Sequence, residues 1–410
     1  MRIGFLVDEF PVLSQTFVLH QITGMIQRGH AIHIYSNKTG NQAKVHAEVE
    51  KYHLLEKTSY FSMPGNHGLR LVKALKFIIS NGWKNPNAIL RALNIFKYGK
   101  KAASLKLLYL ISPLLNQTPD EIIHCQLGFL GLQGLLLREI GAIQGKLVVS
   151  FRGTDLSLYL QMFGSQYYQE LFKKAELFLP VSEKMKSKLI EIGCPEDKII
   201  VHHSGIDPQQ FTFTPRTIAS DETIRIVTIA RLVEKKGIEY GIHAIALVVQ
   251  KHPKVEYLIL GDGDLRATLQ ELIDQLQMSR QVKLLGWKER QEIIQILNHA
   301  HILIAPSVTS RDGDSEGIPN VLKEAMAMGM PVVSTQHSGI PELVQDGISG
   351  FLVPERDAEA LAEKLDYLIS HPEIWPEMGK AGRTFVEQNY NIHKLNDRLE
   401  EIYQELLRTV

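Results

Sequence analysis

Short apolar runs rich in β-branched residues alternate along the chain with longer segments in which apolar residues recur at helical spacing. In the first half of the chain, the short runs predict buried strands at 2–7, 31–35, 122–125, 147–151 and 177–181. In the second half they predict strands at 224–230, 257–260, 282–285, 302–305, 332–334 and 351–353. Strands separated by helices are typical of parallel βαβ units, so the two series predict an α/β protein with two doubly wound parallel-sheet domains.

A turn-rich segment without periodicity at 204–221 predicts the junction between these domains. We therefore expect one domain over 1–205 and a second over 206–390. The last predicted helix, 392–407, carries an apolar stripe from Leu395 to Leu406 at helical spacing. Such a stripe must pack against another part of the molecule.

Composition sets the broad class of protein. The chain has 410 residues with 44% hydrophobic and 22% charged side chains, which is typical of a globular protein of two domains. Two cysteines exclude a disulfide framework and favour a reducing, cytoplasmic compartment. The first apolar run is too short for a signal peptide, and no apolar stretch has the length that a bilayer requires.

The charges are unevenly distributed, although the net charge is zero. The segment 57–118 holds ten basic residues and no Asp or Glu. Within it, 69–79 predicts a basic amphipathic helix with Arg70, Lys73 and Lys76 along one face. This pattern suits peripheral contact with an anionic bilayer, and the alternative is a half-buried helix with a solvated basic face. Nucleic acid is a poorer partner, because no interleaved stacking aromatics appear.

The segment 314–326, Asp-Ser-Glu-Gly-Ile-Pro-Asn-Val-Leu-Lys-Glu-Ala-Met, follows a predicted strand and opens a helix. A helix start presents unpaired N–H groups and a positive dipole end, which suit a diphosphate. Glu316 precedes this helix and could reach a sugar hydroxyl, whereas Glu324 lies within it and suits the two hydroxyls of a ribose. A single acid would indicate only a surface charge. Two acids flanking a turn at the carboxyl end of a parallel strand indicate a ligand site.

Two cations are expected at the same edge of the sheet. Arg231 and Lys236 follow the first strand of the second domain, where fixed positive charge can stabilise a leaving diphosphate in place of a metal. Lys235 fits a solvated surface charge better. The Asp-Gly-Asp triplets at 262–264 and 312–314 lack the further ligands that a hard cation needs, so no metal site is predicted.

These motifs resemble those of the GT-B glycosyltransferase family 4, which is retaining and is marked by E-x7-E, here Glu316 and Glu324. The resemblance continues through 229–237, 260–266, 286–287 and 338–342, in the chain order of the family. It implies two facing doubly wound domains with the donor in the cleft. It also implies a C-terminal helix, 391–410, that crosses back onto the first domain.

The resemblance further implies transfer of a hexose from a nucleotide sugar, with UDP-glucose favoured and no metal cofactor required. Catalytic roles fall to Glu316, Arg231 and Lys236. The donor-binding residues that it implies are Arg231, Lys236, Gly261, Trp287, Glu316, Gly317, Ile318, Pro319, Asn320, Val321, Glu324 and, from a first loop similar to that of polysaccharide-synthesis members, Ser14.

The acceptor side departs from the family pattern. Family members often carry His-x-His, whose second histidine is replaced here by Gln126. They also often carry His-Gly-x-Asp, whose histidine is replaced here by Arg152, while Asp155 keeps the aspartate. These three residues are the candidates for binding a glycan or lipid-linked glycan acceptor. Gln126 cannot act as a general base, and Gln126 and Arg152 together leave open a non-catalytic nucleotide-sugar-binding protein. The nearest rival enzyme is a nucleotide-sugar epimerase or phosphorylase of the same fold.

Overall fold

The computed structural model describes residues 1–13, 15–42, 45–115, 117–219 and 222–408. The strands are β1 Arg2–Phe10, β2 Ala31–Thr39, β3 Thr58–Tyr60, β4 Ile122–Cys125, β5 Lys146–Phe151, β6 Leu177–Pro180, β7 Ile224–Ile229, β8 Val255–Leu260, β9 Val282–Gly286, β10 Ile302–Ala305, β11 Val332–Thr335 and β12 Phe351–Val353.

The α-helices are α1 Thr16–Gln27, α2 Ala47–Lys51, α3 His67–Asn81, α4 Pro86–Ala92, α5 Ile95–Tyr98, α6 Lys100–Ala103, α7 Lys106–Ile111, α8 Gly128–Ile140, α9 Leu158–Phe163, α10 Gln169–Lys174, α11 Glu183–Glu191, α12 Ile238–Lys251, α13 Arg266–Gln275, α14 Arg290–His299, α15 Asn320–Ala327, α16 Ala358–Ser370, α17 Trp375–Asn389 and α18 Ile392–Arg408. Short 3-10 helices occupy Glu196–Lys198, Pro208–Gln210, Glu234–Lys236, Ile340–Glu342 and Pro372–Ile374.

The strands form two parallel sheets of six, with the orders β3-β2-β1-β4-β5-β6 and β12-β11-β10-β7-β8-β9. Each sheet begins at a central strand and grows outward in both directions. The order therefore reverses between β1 and β4 in the first sheet and between β7 and β10 in the second. Ligands of open α/β sheets bind at the carboxyl ends of the strands beside such a reversal.

The predicted strands are confirmed, and one further strand is present. The strand β2 continues through polar residues to Thr39, because its backbone stays paired with β1 as far as Phe10. The strand β3 pairs with β2 and was missed by the pattern, since Thr58, Ser59 and Tyr60 are half-buried and form no apolar run. The predicted domain limit at 205/206 lies in the segment between β6 and β7.

The last helix packs on the first domain, which confirms the expectation drawn from its apolar stripe. Leu399, Ile402 and Tyr403 of α18 are buried in the same core cluster as the side chains of β1. The Tyr403 hydroxyl lies 2.6 Å from Nδ1 of His124 at the end of β4, and Nε2 of that histidine lies 2.8 Å from the Ser150 hydroxyl. The helix therefore ties the end of the chain to the centre of the first sheet.

Polar contacts of Lys323 and Glu342 join the domains near the junction. The buried ammonium of Lys323 on α15 donates to the Ser204 carbonyl at 2.6 Å and lies 5.2 Å from the ring centre of Tyr390. The Glu342 carboxylate accepts from the backbone N–H groups of Glu183 and Lys184, at 2.8 and 3.0 Å. A carboxylate there also complements the positive dipole end of α11, so an acid of the second domain caps a helix of the first.

The basic segment forms helices α3 to α7, and one expectation for it is wrong. Lys73 and Lys76 of α3 are exposed, but Arg70 is buried. Its guanidinium donates to the carbonyls of Pro64, Gly65 and Ser104, so Arg70 is a structural group and not part of a basic outer face. Among the described residues, no helix combines the length and the apolar character that a membrane crossing requires.

We expect Lys323→Met to remove part of the pH dependence of stability. Burial lowers the pKa of Lys323 to about 7, with Glu324 opposing the shift and Arg152 adding to it. The pKa of a lysine in the unfolded chain is about 10.4, so above pH 7 the unfolded chain holds one proton more than the folded protein. Wild-type stability should then rise with pH by up to about 1.4 kcal/mol per unit, or roughly 2–4 °C in the thermal midpoint, relative to the variant.

Thermal midpoints of both proteins across neutral to mildly alkaline pH measure this effect. The control is Lys380→Met on α17, an exposed lysine of the same domain, whose curve should stay parallel to that of the wild type. Parallel curves for the wild type and Lys323→Met would show that the buried ammonium does not titrate in this range.

Candidate active site between the domains

A cleft of about 550 Å³ lies between the two sheets, at the carboxyl ends of their strands. Residues of both domains line it. They are Leu13, Thr16, Phe17, Arg152, Val181 and Ser204 from the first domain and the junction, and Ile229, Ala230, Arg231, Lys236, Leu260, Gly261, Asp262, Trp287, Lys288, Ile293, Glu316, Gly317, Ile318, Pro319, Asn320, Val321, Lys323 and Glu324 from the second.

The cleft therefore contains every donor-binding residue that the sequence predicted within the described part of the chain. The remaining one, Ser14, lies outside the described residues, although its neighbours Leu13 and Thr16 line the cleft. The loops after β7 and β10 supply Arg231, Lys236 and Glu316, and these strands flank the reversal in the second sheet. Strand order thus brings together residues that are about 80 positions apart in the chain.

Gly261 lines the cleft in a backbone conformation that a side chain would disturb. Its φ is +132°, and a Cβ atom would lie 1.9 Å from the Ala230 carbonyl oxygen. The loops after β7 and β8 therefore approach each other closely. The neighbouring Arg231 side chain is exposed and lines the cleft.

The Glu316 carboxylate is held between two lysines. Its Oε2 lies 2.9 Å from Nζ of Lys236, and its Oε1 lies 3.5 Å from Nζ of Lys235. Burial by itself would raise the pKa of Glu316, but the two ammonium groups outweigh burial and lower the pKa below its usual value. Glu316 is therefore an ionised hydrogen-bond acceptor at neutral pH, and it is not poised as a general acid.

The expectation for Lys235 is wrong. This side chain is 8% exposed, and besides Glu316 it pairs with Asp314 at 2.8 Å. Asp314 also accepts from the hydroxyls of Thr154 and Ser157 in the first domain, at 3.3 and 3.4 Å. The second Asp-Gly-Asp triplet thus supplies an ion-pair partner, and the described residues contain no cluster of three or more potential metal ligands.

A buried histidine fixes the backbone of Glu316, a feature that the sequence did not reveal. The Glu316 N–H donates to Nε2 of His337 at 3.1 Å, and Nδ1 of His337 lies 2.6 Å from Oε1 of Glu355. Because Nε2 accepts, the ring proton sits on Nδ1 and is donated to Glu355. Glu355 in turn accepts from the backbone N–H of Thr309 at 2.7 Å. This series of hydrogen bonds, from Thr309 through Glu355 and His337, holds the backbone from which the Glu316 side chain extends.

The helix α15 begins at the cleft with its N-terminal groups uncovered. Its N-cap residue is Pro319, which supplies no side-chain hydrogen bond, and the first turn contains no acid. Gly317 passes so close to the first domain that a Cβ atom would lie 2.9 Å from the Arg152 carbonyl oxygen. The N-terminus of this helix therefore offers N–H groups and positive potential for an anionic ligand.

Two further donor-side candidates, Glu324 and Trp287, line the cleft. Burial raises the pKa of Glu324, and Arg290 and Lys323 oppose that shift. Trp287, which follows β9, is 58% exposed and lines the cleft. Its side chain is therefore accessible to a ligand in the cleft.

The acceptor-side candidates divide into one cleft residue and two supporting residues. Arg152 lines the cleft, and its guanidinium stacks 4.3 Å from the ring centre of Phe17 and donates to Ser204 at 2.9 Å. Gln126 is buried and accepts from Arg152 at 2.6 Å. Asp155 is also buried, and it accepts backbone N–H groups, including that of Arg152 at 3.0 Å. Neither Gln126 nor Asp155 lines the cleft, so both act through the Arg152 loop.

Sequence comparison covers nearly the whole chain. Residues 210–403 match the family model described as glycosyl transferases group 1, and residues 14–210 match that of glycosyltransferase family 4. The chain is 37% identical over 409 residues to the amylovoran biosynthesis glycosyltransferase AmsK of Erwinia amylovora. That match covers 99% of this chain and 100% of the relative. It is 36% identical over 411 residues to WcaL of Escherichia coli, a glycosyltransferase assigned to colanic acid biosynthesis, with coverage of 99% and 100%.

Structure comparison agrees. HepE of Anabaena, solved in complex with UDP, superposes with a TM-score of 0.71 at 17% identity, covering 99% of this chain and 100% of that one. This likeness confirms the predicted GT-B fold of two facing domains. With full-length relatives, matches to both family models and the expected cleft, the chain belongs to the family 4 glycosyltransferases.

Proposed function

We propose that this glycosyltransferase moves a hexose from a UDP-sugar, such as UDP-glucose, to a hydroxyl of a glycan or lipid-linked glycan, with retention of anomeric configuration. The single observation that carries the donor side is the ionised Glu316 held by Lys235 and Lys236 beside the open start of α15. Exopolysaccharide assembly as the setting rests on the names of AmsK and WcaL, and uracil as the base rests on the ligand of HepE.

In the proposed donor complex, the diphosphate lies against the start of α15. Arg231 and Lys236 supply the positive charge that stabilises the leaving group, without a divalent metal. Lys236 then turns from Glu316 to the phosphate oxygens, while Lys235 keeps the carboxylate charge-compensated. Glu316 accepts hydrogen bonds from sugar hydroxyls and stabilises positive charge on the ring, and Glu324 accepts from the ribose hydroxyls.

For the chemical step we propose departure and attack on the same face of the sugar. The bond from C1 to the diphosphate oxygen breaks, and its electron pair stays with the diphosphate. The acceptor hydroxyl attacks C1 from the same face, and its proton passes to the departing phosphate oxygen. This step needs no general base, so it is compatible with glutamine at position 126. Arg152, the cation on the opposite wall, would position the acceptor.

We place the protein in the cytoplasm, peripherally associated with the inner face of the plasma membrane. A nucleotide-sugar donor and a lipid-linked acceptor would meet there.

We expect Glu316→Gln to abolish transfer while leaving donor binding largely intact. The amide keeps the shape of the side chain but loses its negative charge. Because that charge stabilises the sugar ring most strongly in the transition state, kcat should fall by about 10²-fold or more. Turnover of UDP-glucose with a glycan acceptor, together with the Kd of UDP, measures the two effects separately.

The control for this substitution is Glu234→Gln, on the same loop as the two lysines, whose carboxylate pairs with Arg311 outside the cleft. Its kcat should match that of the wild type. Near-normal turnover by Glu316→Gln would reject the assigned role. Interconversion of the donor without any acceptor would favour an epimerase instead.

We expect UDP and UDP-glucose to raise the thermal midpoint equally with and without EDTA. A ligand that binds only the native state stabilises it by mass action, and at 100 times Kd the gain is about 2.7 kcal/mol. Arg231→Ala and Lys236→Ala should each lose most of the shift. The control is Arg280→Ala, an exposed arginine of the same domain that does not line the cleft.

Parallel measurements with GDP-mannose and ADP-glucose identify the base. A shift for guanine or adenine nucleotides alone would reject UDP and keep the site. A shift that disappears with EDTA would reject the metal-free mechanism. If no nucleotide gives a shift, the proposed donor site is wrong.

A further inference from the structure

The first domain exposes an unusual concentration of large apolar side chains on its helices α3 to α5 and the adjoining loops. Of the eighteen large apolar side chains that are exposed in the described part of the chain, ten lie within 63–96. These ten are Met63, Leu69, Leu71, Val72, Leu75, Ile79, Trp83, Leu90, Ile95 and Phe96. Exposed apolar groups scattered singly are ordinary, but such a concentration indicates an interaction surface.

Helix α3 shows how this surface arises. Arg70 and Ala74 are buried and Phe77 and Ile78 are half-buried, so this spacing defines the stripe that packs on the domain. A second apolar stripe, Leu71, Val72, Leu75 and Ile79, faces away from the core, with exposures of 52–81%. The helix therefore has one apolar stripe more than its own domain covers.

Exposed basic side chains surround these apolar groups. They are Lys73, Lys76, Lys84, Arg91, Lys97, Lys100, Lys101 and Lys106, and the sequence contains no acid from 57 to 118. Phe96 is fully exposed, and Trp83 is 76% exposed with Nζ of Lys84 at 5.6 Å from its ring centre. We call this set of exposed residues the basic apolar patch. Aromatic and aliphatic groups accompanied by basic side chains, in a segment without acids, suit an anionic lipid surface.

The position of the patch relates it to the cleft. In a parallel sheet the carboxyl ends of all strands meet at one edge, and in this domain that edge faces the cleft. The strand β3 ends at Tyr60, and α3 begins soon afterwards, at His67. Helix α3 therefore starts on the side of the first domain that faces the cleft.

We propose that the basic apolar patch docks the protein on an anionic bilayer, with Ile79, Trp83 and Phe96 entering the headgroup region and the surrounding lysines contacting lipid phosphates. This inference rests on the proposed function for its biological meaning, since it provides the route by which a lipid-linked acceptor reaches the cleft. Its physical basis, the exposed side chains and their charge, is independent of the donor site.

Vesicle co-sedimentation of the full-length protein tests the proposal. The probes are vesicles of phosphatidylcholine alone and of phosphatidylcholine mixed with phosphatidylglycerol, each at low and high salt. We expect binding to the mixed vesicles only, decreasing as salt rises. The double variants Ile79→Glu/Phe96→Glu and Lys73→Glu/Lys76→Glu should each reduce the bound fraction by at least about ten-fold.

Matched controls carry the same chemical changes outside the patch. Ile348→Glu replaces an isoleucine of the second domain that is 58% exposed, and Lys380→Glu replaces an exposed lysine on α17. Both should bind vesicles as the wild type does. Because every substituted side chain is exposed, all variants should keep the wild-type thermal midpoint and the same midpoint shift with UDP.

The proposal is overturned if the wild type does not bind the mixed vesicles, or if the patch variants bind them as well as the wild type. It is also overturned if the wild type is a dimer in solution that Ile79→Glu/Phe96→Glu converts to a monomer, since the patch would then be a self-interface. Vesicle binding without any nucleotide shift would reject the donor site and leave the patch standing. A shift of the thermal midpoint with a nucleotide, without vesicle binding, would reject the patch and leave the donor site standing.

Discussion

The charge balance around Glu316 is the interaction on which the site depends. A carboxylate withdrawn from water tends to take up a proton, and only nearby positive charge keeps it ionised. Lys235 and Lys236 supply that charge from the loop of the neighbouring strand, and Asp314 fixes Lys235 in place. Lys235 thus pairs with two carboxylates, whereas Lys236 pairs with Glu316 and lines the cleft.

The loop that carries Glu316 is also where the two domains touch. Gly317 passes the Arg152 backbone, and Asp314 accepts from Thr154 of the same first-domain loop. The helix that follows carries Lys323, whose ammonium group donates to the Ser204 carbonyl at the junction. Because the donor loop and the interdomain contacts are continuous in the chain, a change in domain separation must alter the surroundings of Glu316.

The first domain contributes little chemistry to the cleft but much to its placement. Gln126 and Asp155 are buried supports of the Arg152 loop, so the departures from the family pattern change the architecture behind the acceptor wall. The outer face of the same domain carries the basic apolar patch. The charged residues around Glu316 thus belong to the second domain, and the exposed apolar and basic side chains of the patch belong to the first.

The sequence by itself determined the fold class, every strand except β3, and a set of second-domain residues that the structure places along one cleft. These features depend on local periodicity and on motifs contiguous in the chain. Glu316 and Glu324 lie on one short segment, and their spacing is readable without coordinates. The tertiary structure alone decided which charges are buried. Lys235 and Arg70 look like surface cations in sequence, yet one is paired with Asp314 and the other is enclosed by backbone carbonyls. Burial and pairing arise from segments distant in the chain that the strand order brings together, and no local pattern records them.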